Sequence, residues 1–510
     1  MAEGDTGERR KIFPRMTYNW VSVIGAVLAL ISAFVIIFLL SITLISGTTN
    51  PYLGVLLYLI LPGFLIAGLL LIPIGMYIRW RDWQKTGRIP YLKWPLVDLN
   101  IRRHRNAVMT FVLGTLLFIL ISSVGLYQAY HYTDSVAFCG TICHTVMKPE
   151  YTTYQNSPHA RVKCVSCHIG PGAGWYAKSK LRGLYQVYAV AANVYPRPIP
   201  TPISDLRPAR ETCETCHWPR YFIGARQRQF NHYMYDKDNT HWKINMLLKI
   251  GGNNPAAPQA TGIHWHMNFA IKIEYASRDK KRQDIPWVRV TDILTGRTIV
   301  YQDALIPLSK EQLSAAEIRM MDCMDCHNRP SHNFHSPDSE IDLAILAGLS
   351  DQAIPEIKKT SVEAMTKAYK SDTEAIDGIY RSITDFYRTG YTGFYLKNRA
   401  RVDRAIQAAQ SAYLRNFFPV MKARWSFYPN NIGHFMHKGC MRCHDGNHKS
   451  SDGTPIPNNC RNCHVILSQG SKKHSEKSHS GEGLDFRHPV DIGDAWKGGG
   501  CYNCHTGVQP

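Results

Sequence analysis

Three stretches of this 510-residue chain contain no Asp, Glu, Lys, Arg or His: Val21 to Ile45, Tyr52 to Ile78 and Ala107 to Tyr127. Each is long enough to cross the hydrocarbon core of a bilayer as a helix, which excludes a wholly soluble protein. Without ionisable groups the spans offer no proton path, so they read as an anchor and not a pump. No small-residue cleavage site follows the first run, which therefore reads as a retained signal anchor. Charge is sparse overall, at 19% of residues against 11% aromatic, and that balance excludes a chain too polar to bury a core. Acidic residues are the scarcer sign, 39 against 59 basic, for a formal charge of +20. Such an excess ordinarily suggests nucleic acid as a partner, but the cysteines give it another explanation.

All fourteen cysteines fall into seven pairs: Cys139/Cys143, Cys164/Cys167, Cys213/Cys216, Cys323/Cys326, Cys440/Cys443, Cys460/Cys463 and Cys501/Cys504. After each pair comes a histidine, in order His144, His168, His217, His327, His444, His464 and His505. CxxCH is the attachment signature of c-type haem. Two thiols reach the vinyl groups on one porphyrin edge, and the next side chain swings under the ring to put an imidazole on iron. Zinc or disulfide frameworks also use paired cysteines but do not require the trailing histidine. The first pair has three intervening residues and is the variant of the set. Seven covalently bound haem c groups are thus expected. They would carry fourteen propionates, and the 47 basic against 34 acidic residues after Tyr130 largely neutralise them. Binding of nucleic acid is not expected.

Orientation follows from the loops. Arg79, Arg81, Lys85, Arg88, Lys93, Arg102, Arg103 and Arg105 precede the third span, whereas the loop Ser46 to Pro51 is uncharged. The positive-inside rule puts the charged loop in the cytoplasm, along with an amino terminus bearing Arg9, Arg10, Lys11 and Arg15. Everything after Tyr130 then lies outside, where haem c is attached. The expected organisation is a cytoplasmic segment 1–20, a three-helix anchor 21–127, a three-haem module 128–217, a motif-free insertion 218–321 with β-hairpins, and a four-haem module 322–510. The fold class expected is a membrane-anchored multihaem cytochrome c, three transmembrane helices plus a mainly α and irregular haem-packed domain. A small β insertion is read from alternating runs in Ile263 to Tyr275 and Trp287 to Tyr301, joined by the turn Leu294-Thr-Gly-Arg297. Glu340 to Met421 has helical period, and a Gly-rich tail follows.

Around the first two motifs the text runs Cys139-Gly-Thr-Ile-Cys143-His144-Thr-Val-Met147, then Ser157-Pro-His159 and Cys164-Val-Ser-Cys167-His168. This resembles the NapC/NirT/NrfH family of membrane-anchored quinol dehydrogenases, over roughly residues 107 to 217. Three spans with seven motifs are similar to its heptahaem ImcH-type branch of inner-membrane cytochromes. The resemblance implies oxidation of menaquinol or ubiquinol from the membrane quinol pool, with electrons passed to periplasmic c-type cytochromes in anaerobic respiration. It implies a cytoplasmic (inner) membrane protein, multi-pass in the bilayer, with its haem domain in the periplasm. In the family a Met just past the first motif ligates the first haem, and Met147 is its counterpart here, one residue further on.

The remaining irons need second ligands, and the exported region has fourteen histidines outside the motifs. Those nearest a motif, His159, His332, His434, His448 and His488, are the expected ligands, with His264 a sixth. The family's quinol pocket includes a lysine about three turns past the second motif, which points to Lys180 first and Lys178 second. Both lie beside a helical face of Leu181, Leu184, Tyr185, Tyr188, Ala192 and Tyr195, opened by Trp175, as an interfacial helix would have. The alternative is that both lysines only reach lipid headgroups. No acidic residue occurs between Glu150 and Asp205, so Glu150 or Asp134, flanking the first haem, or a haem propionate is the candidate proton acceptor. Two other functions stay open: a terminal reductase of a small oxyanion, although no motif is altered to CxxCK, and a subunit that only wires a partner dehydrogenase to the membrane.

Overall fold

The computed structural model describes residues 17, 19–46, 60–87, 97–203, 206–218, 222, 224–251 and 262–508. The amino-terminal arginines, the start of the second span and Arg88 and Lys93 lie outside them. Nine helices of ten or more residues are described: α1 (Trp20–Ser46), α2 (Leu61–Thr86), α3 (Arg102–Thr133), α4 (His144–Gln155), α5 (Ala173–Ala191), α6 (Pro337–Leu346), α7 (Ile357–Thr366), α8 (Asp372–Gly390) and α9 (Thr392–Asn416). The nine strands are β1 (Arg226–Tyr233), β2 (His241–Leu248), β3 (Ile271–Ala276), β4 (Trp287–Asp292), β5 (Thr298–Asp303), β6 (Ile318–Met320), β7 (His448–Ser450), β8 (His464–Ser471) and β9 (Ser475–Lys477). The described residues divide into two compact units, one reaching to Thr133 and including Ile169–Tyr185, the other made of Asp134–His168 and the residues from Gln186 onward.

In the first unit α1, α2 and α3 are each long and apolar enough to cross a membrane. Helices in lipid gain little from hydrophobicity and associate through close packing, which small residues permit. A Cβ on Gly68 of α2 would fall 2.7 Å from the Gly25 carbonyl oxygen of α1 and 2.7 Å from the Ala29 nitrogen. The Ser22 hydroxyl, also on α1, donates to the Ile72 carbonyl at 2.9 Å.

The second unit contains more β structure than a small insertion. One antiparallel sheet has the order β1-β2-β8-β9 and the other β6-β3-β4-β5-β7. Each recruits strands from the tail: Leu248 of β2 pairs with His464 of β8, and Asp303 of β5 with His448 of β7. The expectation of a mainly α and irregular domain is corrected accordingly. Residues 263–267, read as strand, form a 3-10 turn, and β3 begins only at Ile271.

The helices α6 to α9 carry a side-chain core of their own. On α8 the apolar positions Ala375, Ile379, Ile383 and Tyr387 recur every four residues and all are fully buried, as one face of an amphipathic helix requires. They meet Ile341 and Ile345 of α6, Val362 and Met365 of α7, and Val402, Ile406 and Ala409 of α9. Local signals define the ends. Ser336 caps α6 with Pro337 following it, and the Ser371 hydroxyl accepts from the Glu374 N–H at the start of α8.

Candidate haem-binding sites

From the second onward the motifs are short turns, whereas the first spans the end of the helix Val136–Thr141 and the start of α4. In the third, fourth, fifth and seventh the histidine N–H donates to the carbonyl of the first cysteine, at 2.8 Å for His217 and His327, 3.1 Å for His444 and 2.9 Å for His505. That turn brings both sulfurs and the imidazole to one side, as attachment to one porphyrin edge needs. The fourth motif adds a capping box inside itself: the Asp322 carboxylate accepts from the Met324 N–H at 2.8 Å and Asp325 from the Asp322 N–H at 2.7 Å. Asp325 is buried and also accepts from the Tyr275 hydroxyl at 2.5 Å and from Arg319 at 3.1 Å. Burial and this carboxylate hold the Tyr275 phenol well above its usual pKa.

Opposite six of the seven motif histidines stands a second imidazole. The ring centres are 5.9 Å apart for His217 and His159, 6.2 Å for His168 and His332, 6.2 Å for His327 and His264, 5.7 Å for His444 and His266, 6.2 Å for His464 and His434, and 6.0 Å for His505 and His488. Two imidazoles on opposite faces of one metal, each bonded at roughly 2 Å as histidine bonds first-row metals, have centres roughly 6 Å apart. The residues therefore fit a haem iron in each gap.

Tautomers agree with this. The Nδ1 of His159 lies 3.2 Å from the Pro330 carbonyl oxygen, His332 Nδ1 2.9 Å from Glu150, His264 Nδ1 2.8 Å from Ile250, His266 Nδ1 2.8 Å from Ile263 and His488 Nδ1 2.8 Å from Val490. A carbonyl only accepts, so in each ring Nδ1 carries the proton and the Nε2 lone pair is left for a metal.

His448 stands elsewhere. Its Nδ1 meets the Asp445 carboxylate at 2.8 Å and its Nε2 the Ile285 carbonyl at 2.6 Å, so neither nitrogen is left for iron. Burial opposes its protonation, yet Asp445 and the Ile285 carbonyl outweigh that and raise its pKa. The ring that faces His444 is His266, which was not among the expected ligands. The signal for His266 was present as the repeat His264-Trp265-His266, but an expected strand would have pointed both histidines to one face.

The first motif differs. Among the described residues no histidine ring faces His144. His144 opens α4 and Met147 follows one turn later on the same helix, its N–H bonded to the Cys143 carbonyl at 3.0 Å. Side chains three apart on a helix are neighbours. Axial ligands must approach an iron from opposite faces, so His144 and Met147 cannot both bind one iron.

The sulfurs of successive motifs lie within electrostatic reach of one another. They are free thiols here and stand in for the thioethers of an attached haem. The thiols of Cys139 and Cys164, and of Cys213 and Cys323, influence each other's protonation. So do those of Cys167 and Cys216, of Cys326 with Cys440 and Cys443, of Cys463 and Cys440, and of Cys501 and Cys460. These links run from each motif to the next in chain order.

Of the residues expected at a quinol pocket, Lys178 of α5 holds its ammonium 5.0 Å from the Trp175 ring centre, while the Lys180 side chain lies outside the described residues. On the expected apolar face of α5, Leu181, Leu184, Tyr185 and Tyr188 are all more than 60% exposed, and beyond its end Tyr195 packs on the core. Glu150 is engaged, with its carboxylate 3.3 Å from Arg329 and 3.3 Å from His332 Nδ1. Asp134 lies just before the first motif, on the link between α3 and the Ser135-capped turn that opens it.

Comparison with known proteins agrees with these features. Residues 101–198 match the NapC/NirT cytochrome c family, N-terminal region. The chain is 45% identical to the cytochrome c-type protein ImcH of Geobacter sulfurreducens over 491 residues, 96% of this chain and 95% of that one. It is 28% identical to the cytochrome c-type protein NrfH of Wolinella succinogenes over 115 residues, 22% of this chain and 63% of that one. No solved structure matches. Three apolar helices and this likeness fit a protein of the inner membrane. The chain belongs to the NapC/NirT cytochrome c family, in its ImcH-type branch, and is a cytochrome that carries covalently bound haem c and transfers electrons in respiration.

Proposed function

We propose that the protein oxidises membrane quinol at the outer leaflet and delivers the electrons, along seven haem c sites in chain order, to periplasmic acceptors such as c-type cytochromes. The observation that carries this reading is the contrast among the seven sites: six present paired imidazoles and the first does not. Each haem, when bound, accepts and passes on a single electron, whereas a quinol gives two electrons and two protons. The paired histidines, His159, His332, His434 and His488 among them, would hold a haem iron between them and keep small molecules away from it. At the first site Met147 or His144 of α4 would hold the iron from one side only, which would leave room for a quinol nearby.

The chain's own groups have three tasks at that site. The exposed apolar residues of α5 seat in the headgroup region, where a quinol ring resides. Lys180, or Lys178, donates to a quinol oxygen. Asp134 or Glu150 takes up the protons, the Glu150 carboxylate lying against Arg329 and His332. Both protons leave on the side where the quinol binds, so this step builds no membrane potential. A terminal oxyanion reductase would need an open iron within a basic pocket, and six filled sites speak against it.

The test is direct. A menaquinol analogue added to the purified, fully oxidised protein should bleach the oxidised haem absorbance. If dithionite reduces the haems and the quinol does not, the dehydrogenase reading fails, and a wiring subunit takes its place.

A further inference from the structure

The residues that face His327 and His444 come from a single short turn, Ile263–Met267. His264 stacks opposite His327 with their planes 5° apart, and His266 stands edge-on to His444 at 87°. A 3-10 turn makes residues two apart diverge by roughly 240° around its axis, so the two imidazoles leave it in different directions, toward different motifs. We propose that this turn is a shared clamp: His264 and His266 are the sixth ligands of two successive haems, those of the fourth and fifth motifs.

The surroundings hold the turn and both motifs in one frame. Trp265, between the two histidines, packs on the cluster of Ile273, Tyr275, Ile285, Val288 and Ile456, and Cys443 of the fifth motif packs on that same cluster. Backbone bonds from Ile263 to the Lys249 carbonyl at 2.8 Å and from Trp265 to the Gly262 carbonyl at 3.1 Å fix its start. Only glycine fits before it. Gly262 has φ of +146°, and a Cβ there would lie 2.2 Å from the Gly251 carbonyl oxygen. Across the joint, the buried Arg442 inside the fifth motif donates to the Asp325 carbonyl inside the fourth at 2.6 Å, and also to Gly439 and Arg282 at 2.8 Å each. Asn431 donates to that Asp325 carbonyl as well, at 2.9 Å. One rigid turn can serve two irons only if their spacing is fixed, and the Arg442 guanidinium is the positioning group that fixes it.

This inference rests on the haem-bearing reading of the motifs and not on quinol oxidation. The experiment is quantitative electron paramagnetic resonance of the oxidised full-length protein, with the haem content measured alongside. His264→Ala and His266→Ala should each keep all haems while converting one low-spin haem to high-spin, the double variant should convert two, and added imidazole should restore the low-spin signal. His448→Ala should convert none. An unchanged low-spin count in His266→Ala, or a lost one in His448→Ala, overturns the clamp. If the variants do not fold, a cryo-electron microscopy map of the wild-type holoprotein decides: each of His264 and His266 must lie on its own iron, and either one away from iron overturns the proposal. A protein inert to quinol that still gives the expected spin changes would sink the dehydrogenase reading and leave the clamp standing.

Discussion

Replacing Cys323 and Cys326 together by serine should cut the electron path between the third and fifth sites. The sulfur neighbours run in chain order, and the third motif reaches the later ones through Cys213 beside Cys323 and Cys326 beside Cys440. With the fourth haem gone, the first three remain connected to the quinol site and the last three do not. Quinol should therefore produce half of the absorbance change that dithionite produces, three haems out of six, whereas the wild type should give equal changes with both. The fold should survive, because the groups that brace this motif, Asp325 with Tyr275 and Arg319, do not include the thiols. A control removes Cys501 and Cys504, the end of the file. There all six remaining haems should respond to quinol, and only delivery to a soluble acceptor should be lost. If the variant at the fourth motif reaches full reduction with quinol as fast as the wild type, the sites are branched and the order inferred from the sulfurs is wrong.

Lys180→Ala should slow quinol-dependent haem reduction about tenfold or more, the equivalent of one lost hydrogen bond from a charged donor, with dithionite reduction unchanged; wild-type quinol rates in both this variant and Lys178→Ala would move the site off α5. Glu274→Gln should cost about 1 kcal/mol at neutral pH, since Glu274 pairs with Lys272 at 2.8 Å and with Arg289 on the neighbouring strand at 2.8 Å. Burial alone would raise the pKa of that carboxyl, but the two cations prevail and lower it. Its stabilisation is therefore present above the ordinary carboxylate range and fades as the pH falls through the lowered pKa, so urea midpoints of variant and wild type should converge in acid; a constant difference would refute the ion-pair origin. Lys358→Met should cost about 3–5 kcal/mol, because Lys358 is buried between Asp338 at 2.8 Å and Asp342 at 2.7 Å. Burial already raises the pKa of Asp342, so the deficit, read from thermal unfolding, should shrink as the pH is lowered and the carboxylates take up protons. A deficit that grows in acid would contradict this.

The covalent sites were legible because their chemistry is local. Two thiols and an imidazole must sit within one turn, and a turn is written in consecutive residues. Partners across the iron are not local, and proximity in sequence served only in part. His488 stands a short loop from the motif it faces, whereas His434 precedes the fifth motif and faces His464 of the sixth, and His332 follows the fourth motif and faces His168 of the second. His448 shows why closeness misleads, since β7 pairing with β5 carries its ring toward Ile285 and away from iron. The β component was under-read for a similar reason. Arg226–Tyr233 is mostly polar and β8 ends in Ser-Gln-Gly-Ser, so neither announces a strand, and each is made one by its partner across the sheet. A haem-packed domain was expected, yet α6 to α9 also build a side-chain core whose apolar stripes meet one another directly.

These crossings bear on how the molecule assembles. His168 waits for His332, and His444, made late, faces His266, made early. If a haem is attached as soon as Cys164 and Cys167 are exported, the imidazole that faces His168 would arrive only after the fourth motif has followed, and nearby histidines would compete for that position. What selects the right one is the carbonyl that fixes each Nδ1, because His332 is oriented by Glu150 of α4, a group exported before it. His159 is oriented in turn by Pro330, which lies beyond the fourth motif. The second and third sites thus close on each other through the segment Asn328 to His332, and neither is complete until both are. Arg329, buried against Glu150 and stacked 4.4 Å from the Tyr428 ring centre, anchors that segment from within. Coupling of this kind ties closure of the second and third sites to each other, whereas the seventh needs only the short segment from His488 to its own motif.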